Sequence, residues 1–232
     1  MARFEGKNVL ITGPKGGLGS AVTQAFLDAG ARVAGVSRSI RSDDFPSPNF
    51  FAIPGEISSL EAARQIVAAA QQRLGAIHAL VHLVGAWEGG RSVAETDDAT
   101  FERMLQVNLW SAIHMIRAVL PGMQASRQGR ILAVGSKAAL EPQASSCAYN
   151  ASKAALLSLI RTTALENRRF GISANIVLPA TIDTPANRQA MPQADPSQWV
   201  QPAQIAALLL HLASEESEQI SGAAIPIYGH NL

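Results

Sequence analysis

Apolar residues in this chain fall into short continuous runs separated by longer stretches in which they recur every three or four positions. The runs read as buried strands and the spaced stretches as helices with one apolar face. Asn8–Thr12 is the first run, and Ala21, Val22, Ala25, Phe26 and Leu27 follow at helical spacing until Gly30 stops the helix. Residues 31–37 and 50–53 predict the second and third strands, and Ser58 with Glu61 predicts a capped helix running to about Leu74. Residues 77–84 are apolar enough for the middle of a parallel sheet. A helical pattern over 98–120 carries Phe101, Met104, Leu105, Val107, Leu109, Ile113, Ile116 and Val119, with Asn108 among them. That asparagine is unfavourable there unless it is hydrogen-bonded. Strands are expected at 131–134, 173–178 and 223–228, and helices at 147–165 and 205–212, the latter opened by Pro202. Residues 179–197 form a proline-rich connection long enough to be functional.

Alternating strands and helices predict an α/β chain: a single Rossmann domain over 1–232, with a doubly wound seven-stranded parallel sheet and helices on both faces. Ligands then belong at the carboxyl ends of the strands. At 232 residues and 47% hydrophobic, the chain closes one sizeable core. A formal charge of +1 without a dense basic block implies neither nucleic acid nor an anionic membrane as partner, which leaves a small molecule. No apolar run approaches the ~20 residues of a membrane span. The single cysteine, Cys147, and the lack of an apolar leader after Met1 point to the cytoplasm. Cys147 reads as a small residue at a helix start, His82 as a packed core histidine, and no metal site is expected.

The candidate chemistry begins where the first strand ends, in Thr12-Gly13-Pro14-Lys15-Gly16-Gly17-Leu18-Gly19. A glycine-rich turn between a strand and a helix, closed by a second strand, is the form of a dinucleotide site. The second strand ends in Ser37-Arg38 rather than an acid, and with Arg41 and Lys15 close by the pattern favours NADP(H) over NAD(H). Glu56 stands at the end of the third strand, within reach of an adenine. Tyr149 and Lys153 lie one helical turn apart on one face. A neighbouring cation stabilises phenolate, so this pairing predicts a tyrosine of lowered pKa that exchanges a proton with a substrate oxygen.

Taken together, the Thr12-to-Gly19 turn, Asn108, Ser136 thirteen residues before Tyr149, Tyr149-x-x-x-Lys153, and Pro179 followed by Thr184 resemble the short-chain dehydrogenase/reductase family over essentially the whole chain. The resemblance implies Tyr149 as general acid/base, with Lys153 lowering its pKa and holding the nicotinamide ribose. It implies Ser136 on the substrate oxygen and Asn108 anchoring a relay water. Gly13, Lys15, Gly17, Leu18, Gly19, Ser37, Arg38, Glu56, Ile57, Gly85 and Pro179 would join Tyr149 and Lys153 around the cofactor, with Ile182 and Thr184 on its carboxamide. It further implies a homodimer or homotetramer, since the helices around Asn108 and after Tyr149 carry more apolar positions than one sheet face covers. The chain departs from the family at His82-Leu83-Val84-Gly85, at Ala180 and at Ile227-Tyr228-Gly229-His230. Gly85 to Gly90 with Trp87, Lys137 to Leu140, and Leu178 to Trp199 look like dihydropteridine reductases, whereas Ser136 and Ser37 oppose that narrower likeness. The expected function is NADP(H)-dependent hydride transfer to or from a carbonyl or alcohol carbon. Reduction of a quinonoid dihydropterin, with Trp87 stacking on it, is the alternative within that class, and a non-catalytic NADP(H) sensor is the alternative outside it.

Overall fold

A computed structural model describes residues 4–229, so His230 lies outside the described residues. Seven strands form one parallel sheet: β1 Asn8–Thr12, β2 Arg32–Ser37, β3 Phe50–Pro54, β4 Ala79–His82, β5 Gly129–Val134, β6 Ile172–Pro179 and β7 Ala224–Ile227. Their order is β3-β2-β1-β4-β5-β6-β7. The chain winds outward from β1 to β3 and then returns to β4 on the other side of β1. A crevice therefore opens between the carboxyl ends of β1 and β4, where ligands of doubly wound sheets bind.

Successive side chains on a strand point to opposite faces, and this divides the interior into two layers. Leu10, Leu80, Ile131 and Ile176 pack on one face under α2 Leu60–Leu74, α4 Ser111–Ser126 and α5 Cys147–Asn167. Val9, Ile11, Val81, Leu132 and Val177 pack on the other under α1 Gly17–Asp28 and α7 Pro202–Ala213. Strands buried on both faces have to be apolar throughout, which is why they read as runs. No helix among the described residues is long and apolar enough to cross a membrane.

Three details differ from expectation. Ser59, not Ser58, caps α2, its side chain accepting from the Ala62 N–H at 3.1 Å. β4 ends at His82 instead of residue 84, the Leu83 N–H beyond it being shared between the Thr12 carbonyl at 3.3 Å and the Thr12 hydroxyl at 3.2 Å. The helix over 98–120 is interrupted: α3 Asp98–Leu105 passes through a π turn, Gln106–Trp110, before α4 begins. The π turn has Asn108 at its centre and is the sort of wide turn that often marks a functional site.

The glycine turn is built by close approach. Gly13 has φ +73° and donates to the Val36 carbonyl at 2.9 Å, so the chain turns tightly between β1 and α1. Gly19 lies against the Gly13 carbonyl, and a Cβ there would also come within 2.9 Å of the Pro14 carbonyl carbon. These neighbours are backbone and cannot swing aside. Gly19→Ala is expected to cost about 2–3 kcal/mol or prevent folding, measured by urea denaturation; loss of under about 0.5 kcal/mol would contradict the packing described.

Candidate active site

Every residue singled out from the sequence lies at the carboxyl edge of the sheet or in a loop above it. Gly13 to Gly19 follow β1; Ser37 and Arg38 end β2; Glu56 and Ile57 follow β3; Gly85 and Trp87 follow β4; Ser136 follows β5; and Pro179, Ile182 and Thr184 close β6 and begin the long connection. Asn108 reaches the same edge from the π turn, and Tyr149 and Lys153 from the first two turns of α5.

The centre of the site is held by Asn108, which is fully buried. Its Oδ1 accepts from the Ala86 N–H at 2.8 Å, while Nδ2 donates to the Ala86 carbonyl at 3.0 Å and to Ser152 Oγ at 3.0 Å. Ser152 in turn donates to the Tyr149 carbonyl at 2.8 Å. One carboxamide thus ties the loop after β4 to the first turn of α5. The unusual His82-to-Gly85 segment leaves this support intact, because the contacts run through the Ala86 backbone.

Gly85 is the point at which the polar groups converge. A Cβ placed on it would lie 3.1 Å from Lys153 Nζ and 3.2 Å from Asn108 Oδ1. Lys153 is only 4% exposed and donates to the Val134 carbonyl at 3.3 Å. Burial pulls its pKa down to about 8. Tyr149 lies near Ser136, whose hydroxyl favours the phenolate, but desolvation is stronger and the phenol is pushed up. The expectation that Lys153 lowers the Tyr149 pKa is therefore corrected. The ammonium is turned to Val134 and lies 5.8 Å from the phenol ring centroid, so desolvation dominates.

Beneath the site, His82 bridges Thr12 Oγ1 at 3.0 Å and Ser111 Oγ at 3.2 Å. Ser111 donates to the Val107 carbonyl and Thr12 accepts from Leu83, so the bonding is satisfied by a neutral ring carrying its proton on Nε2. Complete burial, together with the Lys153 charge, pulls the His82 pKa down to about 3. His82 is a core histidine that braces β1, β4 and the π turn.

Past the end of β2, the basic residues are less free than the sequence implied. Lys15 pairs with Asp44 at 2.8 Å, Arg38 stands 3.9 Å from Glu56, and Arg41 stands 4.0 Å from Asp43. Ser37 Oγ is buried without a partner. Leu18 and Ile57 are half-buried against the two core layers.

The long connection folds over the turn. Thr184 caps α6 Pro185–Ala190, and a Cβ on Gly17 would come within 2.7 Å of the Thr184 side chain. Asp183 fastens this lid, accepting from Arg188 at 2.6 and 2.8 Å and from Gln201 at 3.1 Å. On the opposite rim Glu88 takes a bidentate bond from Arg103 and one from Thr100, which fixes the loop bearing Trp87. Trp87 remains 63% exposed. Sequence reading missed Ser152, Ser111, Asp44, Glu88 and Arg103, and gave Thr12 no role of its own beyond opening the glycine turn. Ser111, a polar residue inside an apolar helical pattern, was the one with a signal. A cavity of about 270 Å³ lined by Lys7, His78, Arg130 and Glu215 lies at the amino ends of the strands, away from this site.

The family model described as short chain dehydrogenase matches residues 7–195. Short chain dehydrogenase adrF of Penicillium roqueforti is 31% identical, with 94% of each chain covered. Asnovolin H dehydrogenase nvfC of Aspergillus novofumigatus is 30% identical, also with 94% of each covered. Among solved structures, ElxO with NADP bound superposes with a TM-score of 0.91 at 24% identity, over 97% of this chain and 98% of that one. Levodione reductase superposes at 0.90 and 23% identity, over 98% of each. These two structures establish the likeness of fold.

Holding Lys153 charged in this pocket is costly. A fall from 10.5 to about 8 corresponds to roughly 3 kcal/mol. The sign follows from proton linkage: between the two values the unfolded chain binds the additional proton, so stability rises with pH there and the penalty is complete below about 8. Without cofactor, Lys153→Met is expected to be more stable than wild type at pH 7. Its advantage should shrink as pH rises from 8 toward 10.5, read by thermal unfolding at each pH; a constant difference would contradict the burial cost.

Proposed function

This chain belongs to the short-chain dehydrogenase family and is an oxidoreductase; on that premise we propose that it transfers hydride between NADP(H) and a carbonyl or alcohol carbon of a small molecule, with Tyr149 as general acid/base. The observation that carries this reading is Tyr149 beside Ser136, one helical turn from a buried Lys153 whose ammonium converges with Asn108 on Gly85. These groups flank the crevice at which the glycine turn opens.

The residues fit a dinucleotide. Gly17 and Gly19 keep the turn free of side chains, and Ser37 Oγ, buried and unpartnered at the end of β2, offers a hydroxyl to the adenosine ribose. Gly13, Lys15 and Leu18 would hold the pyrophosphate side, with Arg38 on the 2′-phosphate and Glu56 and Ile57 beside the adenine. Gly85, Lys153, Pro179, Ile182 and Thr184 would hold the nicotinamide half. The similarly folded ElxO carries bound NADP, which agrees with this choice. The bound nicotinamide supplies or accepts the hydride.

The chain's own residues manage the proton and the oxygen. A raised Tyr149 pKa keeps the phenol protonated at neutral pH, the state needed to donate to a carbonyl oxygen during reduction. Ser136 lies beside that phenol and hydrogen-bonds the same oxygen as negative charge develops. Lys153 stays protonated below about 8 and holds the ribose by charge-assisted bonds. Asn108, its three side-chain bonds already made, acts by fixing Gly85-Ala86 and Ser152. The exposed Trp87 supports a flat substrate such as a quinonoid dihydropterin as the second reading. Assembly into a dimer or tetramer is supported by exposed Trp110 at the end of the π turn and exposed Leu165 on α5.

Tyr149→Phe is expected to lower turnover by ~10²–10⁴-fold with NADPH affinity nearly unchanged. Retention of most activity on ketones, quinones and dihydropterins alike would refute the acid/base role. Ser136→Ala separates the two readings: carbonyl reduction should fall by ~10²–10³-fold, whereas dihydropterin reduction should change little.

A further inference from the structure

The three cations around the expected 2′-phosphate position each face a carboxylate, but the pairs are unequal. Arg38 and Arg41 are largely exposed and stand 3.9 Å from Glu56 and 4.0 Å from Asp43, too loose and too solvated to hold either side chain. Lys15 and Asp44 are different. Their charged atoms are 2.8 Å apart, and the Asp44 side chain is only 19% exposed. The second carboxylate oxygen of Asp44 accepts from the Arg41 N–H at 2.7 Å, and Lys15 also donates to the Ser39 carbonyl at 3.3 Å. Lys15 thus spans from the glycine turn to the loop after β2, the strand that ends in the unpartnered Ser37 hydroxyl.

We propose that Asp44 is a specificity-determining residue that competes with the cofactor's 2′-phosphate for Lys15. This rests on the NADP(H) reading above and deepens it. A phosphate entering beside Ser37 meets an ammonium whose charge Asp44 already offsets at 2.8 Å, so the two anions compete for Lys15. Asp44 also brings a negative charge close to the phosphate, and an NADH lacking that phosphate meets neither effect. The consequence is a preference for NADPH weaker than three basic residues imply, with Asp44 setting its size.

Asp44→Asn tests this. The amide oxygen still accepts from the Arg41 N–H, so the turn at Ser42–Asp44 is kept while the charge is lost. Titrations of intact protein, followed by tryptophan fluorescence or calorimetry, would compare NADPH and NADH. The variant is expected to bind NADPH about 10-fold more tightly, with NADH affinity within about twofold. Adding Asp44→Asn to Lys15→Met should raise NADPH affinity by clearly less than about 10-fold, since only the lifted Asp44 charge then remains and no ammonium is freed. Asp44→Ser, with a hydroxyl that preserves an acceptor at the turn, gives a second measurement should the amide loosen the loop. If wild type binds NADPH and neither Asp44 variant binds it more tightly, or if NADPH and NADH shift equally, the competition is overturned while the cofactor reading stands. If wild type binds neither nucleotide, the cofactor reading falls and this inference falls with it.

Discussion

A buried carboxamide left without partners costs a few kcal/mol, and Asn108 meets that constraint with groups supplied from two distant parts of the chain. The Ala86 backbone provides a donor and an acceptor, and Ser152 provides a second acceptor. Satisfying one side chain therefore fixes the loop leaving β4 relative to the helix that carries Tyr149 and Lys153. Gly85 is carried into its close position between Lys153 and Asn108 by the same bonds. Without them the polar groups of the site would sit on elements free to shift independently.

The electrostatics of this edge run against comfort. Tyr149 is pushed up and Lys153 pulled down, both chiefly by burial, and His82 below them is kept neutral. Such costs are tolerated because the two apolar layers on either side of the sheet are extensive and because nearby hydroxyls and carbonyls take up the hydrogen bonds. Displaced pKa values in a crevice are a mark of sites tuned for proton transfer. The displacements here come from burial rather than from a Lys–Tyr pair acting alone.

Most of the architecture was legible in the residue pattern. Strands buried on both faces have to be apolar, glycines have to stand where backbone meets backbone, and Tyr149 and Lys153 have to share a helix face. The expectation that His82 packs in the core came from its place in a run of apolar residues, and it is buried there. What escaped were pairings between residues far apart in sequence: Asn108 with Ser152, Thr12 with His82, Lys15 with Asp44. Their residue types are common on any surface, and only the closed sheet brings them together. The direction of the Tyr149 shift escaped for a related reason, since desolvation depends on everything packed around the ring.

The π turn at Gln106–Trp110 also works as a phase corrector. Thr100, Met104, Asn108, Ala112 and Ile116 are all buried and recur every four residues. In an uninterrupted α-helix each step of four overshoots a full turn by about 40°, so such a row spirals off the face it began on. One wide turn absorbs part of that drift. The upstream half of the helix can then keep Thr100 against Glu88 in the loop after β4 while the downstream half keeps Met115, Val119 and Met123 on the sheet. A chain one residue shorter at this point would have to choose between gripping the loop and seating the helix.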